Sequence, residues 1–127
     1  MFTFRKEERL CSTKMIDKLF SEGSSFISYP FRISYYETML DSNYPVQVVF
    51  VVAKKRYKRA NKRNILKRRM REAYRLHKQI LYNTLNSNNK SIALAISFVS
   101  KEVVEFEQID TQMVATINKL ATMFNAP

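Results

Sequence analysis

Apolar and polar positions along the chain fall into successive helical and strand periods. Met15, Ile16, Leu19 and Phe20 recur at i, i+1, i+4 and i+5, the stripe of an amphipathic helix. Ser12 or Thr13 can cap its start, and Gly23 stands where a helix favours a left-handed residue beyond its last turn. The spacing predicts a helix over 13–22. From Tyr29 to Tyr36 the period changes to two: Phe31, Ile33 and Tyr35 alternate with Arg32, Ser34 and Tyr36, as in a half-exposed strand. Asp41, Ser42, Asn43 and Pro45 mark a connection. Val46 to Ala53, polar only at Gln47, reads as a central strand apolar on both faces.

Lys54 to Asn61 lacks helical apolar spacing and reads as a loop. Beyond it Leu66, Met70, Ala73, His77 and Ile80 or Leu81 recur at three- and four-residue steps, while Arg63, Lys67, Arg71 and Arg75 recur every fourth residue. At about 100° per residue these stripes are centred roughly a third of a turn apart, so one flank packs and the other faces outward. The helix should run for about 20 residues and give way to a loop at the polar stretch Asn83–Lys90. Ser91 to Val99 then alternates Ile92, Leu94, Ile96 and Phe98 with Ala93, Ala95, Ser97 and Val99, a strand whose small-residue face lets a helix approach closely. Ile109, Met113, Ile117, Leu120 and Phe124 mark a last amphipathic helix. The pattern thus gives a helix, two or three strands, a long helix, a strand and a helix. It is most economically an α/β domain (an α+β sandwich), a small sheet covered by helices, occupying 1–127 as one unit.

Charge changes this picture from a fold to a function. The chain of 127 residues has 22 Lys and Arg against 11 Asp and Glu, a net +11. The window 54–78 alone holds thirteen basic side chains and one acid, Glu72, and so carries +12; the rest sums to −1. Thirteen like charges on one element repel one another unless a polyanion neutralises them, and each neutralised phosphate releases a condensed counterion. Gly23 is the sole glycine, which excludes a P-loop and a dinucleotide-binding GxGxxG turn. Cys11 is the sole cysteine, which excludes an internal disulfide framework and a multi-cysteine zinc site. The longest apolar run, Val48 to Ala53, is far too short for a membrane helix, and the first residues lack the apolar core of a signal peptide. A soluble protein of the cytoplasm is expected.

No set of residues reads as a self-sufficient catalytic centre. Glu102, Glu105, Glu107 and Asp110 are the only dense acids, and they suit the positive N-terminal end of the last helix. His77, the one histidine, sits on the apolar flank of the basic helix, where a structural role is expected. Cys11 has no evident base. Binding is better supported, because Arg and Lys on one helical flank can track phosphates. Phe20, Phe26, Tyr29, Phe31, Tyr35 and Tyr36 lie earlier in the chain; rings exposed beside a basic surface suit unpaired bases. Phe31 is better placed for the core, whereas Phe20, Tyr35 and Tyr36 fit core packing and stacking equally.

The run Arg63-Asn64-Ile65-Leu66-Lys67-Arg68-Arg69-Met70-Arg71-Glu72-Ala73 resembles the RNR signature of the bacterial ribonuclease P protein subunit, in the form R-N-x-x-K-R-x-x-R-E. Arg9-Leu10 early in the chain, Phe20 and Gly23 at the end of the first helix, Phe31 in the first strand and Lys54-Lys55 before the signature agree with it in order and spacing. The resemblance covers residues 5–82 by motif and the remainder by pattern. It implies four strands and three helices in the order αβββαβα, with the basic helix following a left-handed crossover. It also implies a catalyst made of RNA, with magnesium bound mainly by that RNA. The protein would bind the catalytic RNA and the 5′ leader of precursor tRNA and so assist endonucleolytic hydrolysis, with no catalytic or metal-binding residue of its own. Neither a membrane nor an obligatory protein partner is implied. By position, Arg63, Asn64, Lys67, Arg68 and Arg71 would contact the catalytic RNA. Lys54, Lys55, Arg59 and Arg75 complete that basic surface. Phe20 would line the leader cleft, with Ile16, Tyr35 and Tyr36 as the further candidates.

Three positions depart from the family pattern. Ile65 replaces the second Arg of the signature, Ile16 stands where the family often has an aromatic, and the loop 56–60 is more basic and lacks the usual glycine. Two other classes of protein share the size and charge: a structural RNA-binding protein of ribosomal type, and a nuclease acting without RNA. A membrane-surface role lacks the apolar helix face it would need.

Overall fold

The computed structural model describes residues 3–125. A 3-10 turn (Lys6–Glu8) leads into α1 (Thr13–Glu22), β1 (Ser24–Ser28), β2 (Phe31–Glu37), β3 (Val46–Val52), α2 (Ala60–His77), α3 (Gln79–Ser87), β4 (Ile92–Phe98) and α4 (Phe106–Phe124). The strands form one sheet in the order β1-β2-β4-β3. The pairs β1–β2 and β2–β4 are antiparallel, and β3 runs parallel to β4. Parallel neighbours cannot be joined by a tight turn, so α2 and α3 form the crossover between them. The α+β architecture is as expected, with four α-helices rather than three.

The two-residue period divides the sheet into unequal faces. Ile33 and Phe50 both pair with Ile96, which aligns the large apolar residues of β2, β3 and β4 on one side. There Phe31, Ile33, Val48, Leu94 and Ile96 are buried against Leu66, Met70 and Tyr74 of α2, Leu81 and Leu85 of α3, and Met113, Ile117 and Leu120 of α4. Across the sheet Ala93 and Ala95 are buried under Leu10 and Leu19, with Met15, Ile16, Tyr36 and Val49 packed around them. The small side chains of β4 are what allow α1 to lie against the sheet.

The helix α1 has its predicted bounds, and the cap is Ser12, whose Oγ accepts from the Met15 amide at 3.2 Å. Its end differs from expectation. Gly23 has φ −76° and ψ 170°, extended rather than left-handed. A glycine is needed there for close approach: a Cβ would lie 2.4 Å from the Leu19 carbonyl and 2.7 Å from the Tyr35 carbonyl, both backbone atoms. Gly23→Ala must therefore push α1 away from β2. It is expected to cost about 1–3 kcal/mol, read as a lower urea midpoint with an unchanged slope. An unchanged midpoint would show that the two elements separate freely.

Two further boundaries are corrected. The strand predicted over 29–36 is β2, which begins at Phe31; Tyr29 and a cis Pro30 form the turn that joins it to β1, a strand the pattern did not resolve. Ser24–Ser28 carries only two adjacent apolar residues and so gives no alternation to read. The predicted loop 83–90 is helical to Ser87. Asparagine disfavours helix interiors, but burial of Leu81, Tyr82 and Leu85 outweighs that preference. The long basic helix accordingly becomes two, meeting at Lys78.

Candidate nucleic-acid interface

Leu66, Met70, Ala73 and Tyr74 anchor one side of α2 in the core, which fixes the direction of the other. Asn64, Arg68 and Arg71 are exposed on it and Lys67 is half-exposed. Among the described residues the side chains of Lys67, Arg68 and Arg71 make no hydrogen bond or ion pair. Their charges are directed outward.

The remaining arginines of α2 are partly engaged. The Arg63 guanidinium donates to the carbonyls of Tyr57 (2.6 Å) and Lys58 (2.9 Å), bracing the loop that precedes the helix. Arg69 donates to the Val104 carbonyl at 2.8 Å and ties α2 to the segment before α4. Arg75 donates to both Glu72 carboxylate oxygens, at 2.5 and 3.0 Å. That hydrogen bond holds the Glu72 carboxyl below its ordinary range. Lys54, Lys55, Arg56, Lys58 and Arg59 are all exposed in the approach to α2. Tyr57, in their midst, is buried and donates to the Ser100 carbonyl at 2.9 Å, which pins this basic turn to the end of β4.

The N-terminal segment is fastened to the same surface. Glu8 is fully buried and forms an ion pair with Lys78, which also donates to the Thr3 carbonyl. Glu8 accepts from the Tyr82 hydroxyl at 2.8 Å and from the Arg5 amide at 2.6 Å. Tyr74 donates to Tyr82 at 3.2 Å, and burial pushes both phenols well above their ordinary range. The Leu10 amide then donates to the Val48 carbonyl, so the segment runs along the edge strand β3. Arg9 is thereby brought beside Arg71 and Arg75 around a hollow of about 260 Å3 that Phe4 and Glu72 also line. Arg9 was legible only as part of the family pattern; its place beside α2 depends on contacts more than sixty residues apart.

On the opposite face of the sheet Phe20 is 52% exposed, at the rim of a hollow of about 300 Å3 between α1 and the first hairpin. Leu19, Gly23, Ser25, Arg32 and Ser34 line it. Ile16 and Tyr36 pack beside Leu19 on this face, and the Lys18 ammonium lies 5.7 Å from the Tyr36 ring centre. Tyr35 lies across the sheet, its ring edge-on to Phe124 of α4 and tilted against Phe26. Tyr36 and Phe20 therefore share a face, and Tyr35 does not. Arg32 was not singled out from the sequence, although the polar side of the β2 alternation already carried it.

The residues weighed for catalysis are dispersed. His77 Nε2 lies 2.8 Å from Asp110 Oδ1, half-exposed between α2 and α4. Cys11 is exposed. Among the described residues no group of three His, Cys, Asp or Glu side chains is arranged to hold a metal ion, and no helix is long and apolar enough to cross a membrane.

Known proteins resemble this chain in sequence and in fold. The family described as Ribonuclease P matches residues 4–121. The ribonuclease P protein component of Porphyromonas gingivalis strain W83 is 37% identical over 123 residues, covering 94% of this chain and 88% of that protein. The corresponding protein of Chlorobium phaeobacteroides is 43% identical over 83 residues, 63% of this chain and 57% of its own length. In fold, the ribonuclease P protein of Thermotoga maritima superposes with a TM-score of 0.70 at 22% identity, covering 88% of this chain and 96% of that one. That of Staphylococcus aureus gives 0.66 at 21% identity, with 93% and 98% covered. With its signature on an outward-facing flank of α2, its sheet order and a family match over nearly its whole length, the chain belongs to the bacterial ribonuclease P protein family.

Proposed function

We propose that this chain binds the catalytic RNA of ribonuclease P through α2 and holds the 5′ leader of precursor tRNA against α1, assisting hydrolytic cleavage at the tRNA 5′ end. The observation that carries this reading is the stripe of Asn64, Lys67, Arg68 and Arg71, whose basic members make no hydrogen bond or ion pair among the described residues and are positioned by the buried side of the helix. Lys54, Lys55 and Arg59 extend it. Arg63 serves it twice, as a charge and as the brace of the preceding loop. Ile65 is half-buried, so its replacement of the signature's second arginine removes one charge without interrupting the stripe. Phe20, with Ile16 and Tyr36 behind it and Arg32 nearby, offers an unpaired leader an apolar surface and a cation.

The chemistry in this reading belongs to the RNA and its magnesium ions. The protein lowers phosphate–phosphate repulsion where leader and catalytic RNA converge, which raises the affinity for substrate and lowers the magnesium concentration needed to bring the two RNAs together. A cytoplasmic setting goes with this role.

The test is cleavage of a precursor tRNA at low magnesium by the matching catalytic RNA, with and without the chain. Correct 5′ processing that requires both is the expected result. RNA binding without stimulation would replace this reading with a structural, ribosomal-type role, and cleavage by the protein alone would overturn it. In the same assay Phe20→Ala should weaken binding of leader-bearing substrate by about 1–3 kcal/mol, the range for a lost base–aromatic stack. Affinity for the catalytic RNA should be unchanged. Equal loss for substrates with and without a leader would remove Phe20 from the leader site.

A further inference from the structure

A further pocket lies away from both the α1 hollow and the Arg9–Arg71–Arg75 hollow. It opens where three connections meet at one end of the sheet: the Tyr29–Pro30 turn, the turn after β3 and the bend after β4. Tyr29, Arg56, Val99, Lys101 and Glu102 line a hollow of about 510 Å3. A neighbouring hollow of about 370 Å3 shares Arg56 and Lys101 and adds Lys55. The larger is within the size range of sites that enclose small ligands, about 300–1,000 Å3.

Its walls are braced. The Tyr29 hydroxyl donates to Ser100 Oγ at 3.1 Å. The Ser100 hydroxyl donates in turn to the Glu102 carbonyl at 3.0 Å and accepts from the Glu102 amide at 3.2 Å. The buried Tyr57 donates to the Ser100 carbonyl, and the Val99 amide donates to the Pro30 carbonyl at 2.8 Å. Three chain segments are thus locked around one serine. The groups turned to solvent are a different set: Tyr29 is 63% exposed, and Arg56 and Lys101 are exposed. Glu102 forms no ion pair with either cation among the described residues. An exposed ring held at its hydroxyl, two or three cations and one carboxylate acceptor match the parts of a nucleotide. The base stacks, the phosphate is neutralised, and an amino or ribose hydroxyl group can donate to the carboxylate.

We infer that this pocket takes one unpaired nucleotide of an RNA strand, with its base on the Tyr29 ring and its phosphate between Arg56 and Lys101. The inference rests on the reading above for its ligand, RNA, and not for its location. It makes Tyr29 and Lys101, which lie outside the basic helix and the α1 hollow, part of a separate contact.

The test uses the full chain, 15N-labelled, titrated with hexaadenylate and followed by amide shifts and by binding anisotropy at several salt concentrations. Shifts at Tyr29 and across 99–102 are expected. Tyr29→Ala should weaken binding about 5-fold or more, as for a lost stacking platform. Tyr29→Phe, which keeps the ring and loses only the Ser100 bond, should stay close to the parent. The double variant Arg56→Ala/Lys101→Ala should reduce the salt slope by about 0.7, the value for one phosphate contact on a single strand. Shifts confined to the surroundings of Phe20, with both the Tyr29→Ala and double variants binding like the parent, would overturn the inference. So would failure to bind hexaadenylate by a chain that still binds the catalytic RNA, which leaves the proposed function standing. Failure to bind either RNA would end both.

Discussion

Replacing Lys67, Arg68 and Arg71 together by alanine is expected to lower affinity for the catalytic RNA roughly a hundredfold or more in 0.1 M salt, with the log–log salt slope falling by about 3. Each of these side chains is held outward by an anchored helix and has no hydrogen bond or ion pair among the described residues to lose. Three like charges would leave a helix that has a large excess of them, so the thermal midpoint should hold or rise slightly. The combination is diagnostic: weaker binding, shallower salt dependence and intact folding together. Arg63→Ala should behave differently, because its guanidinium also holds the carbonyls of Tyr57 and Lys58. It should lose RNA affinity and loosen the 54–59 turn at once, seen as faster amide exchange there. Affinity retained by the triple variant would show that α2 is not the RNA-binding element.

Glu8→Ala is expected to be the most destabilising single change considered, costing about 3–5 kcal/mol, the range for a buried ion pair that loses one member. The Lys78 ammonium, 7% exposed, would keep the Thr3 carbonyl and the faces of Phe4 and Tyr82 but no counter-charge. The Tyr82 hydroxyl and the Arg5 amide would lose their acceptor as well. For a domain of this size the thermal midpoint should fall by roughly 10 °C or more. Glu8→Gln, which keeps an acceptor, should fall less. A midpoint within a few degrees of the parent would show that the N-terminal segment is docked by its apolar contacts alone. There is a functional consequence too, since the segment that Glu8 anchors brings Arg9 beside Arg71. Glu8→Ala should therefore also weaken RNA binding modestly, and only at temperatures where the segment has come away.

These two outcomes separate two kinds of charge that look alike in the sequence. Nothing in their spacing distinguishes Lys78 from Lys67, or Arg75 from Arg71: all are basic residues in one basic run. What divides them is the neighbour supplied from elsewhere, Glu8 for Lys78 across seventy residues and Glu72 for Arg75 one turn away. The second pairing was open to an i, i+3 reading, whereas the first was not. The aromatic residues divide in the same way. Tyr35 and Tyr36 are adjacent in one strand, and alternation alone requires that they face opposite sides. Only the placement of α1 on one side and α4 on the other says which side is the candidate leader surface.

Periodicity by itself determined α1, the outward flank of α2, the two-sided character of β3 and β4, and the last helix. Each follows from whether apolar residues repeat every two or every three to four positions, a local property. The basic run and its signature likewise determined the family. Tertiary structure alone decided the rest. It made a helix of the asparagine-rich stretch to Ser87 and turned Arg63 inward onto its own loop. It required Gly23 for closeness rather than for a left-handed turn, and gathered Tyr29, Arg56 and Lys101 at one end of the sheet. The physical reason is common to all four. Burial and hydrogen bonding with partners brought in by the fold outweigh local propensities of a fraction of a kcal/mol per residue, and sequence spacing carries no record of those partners.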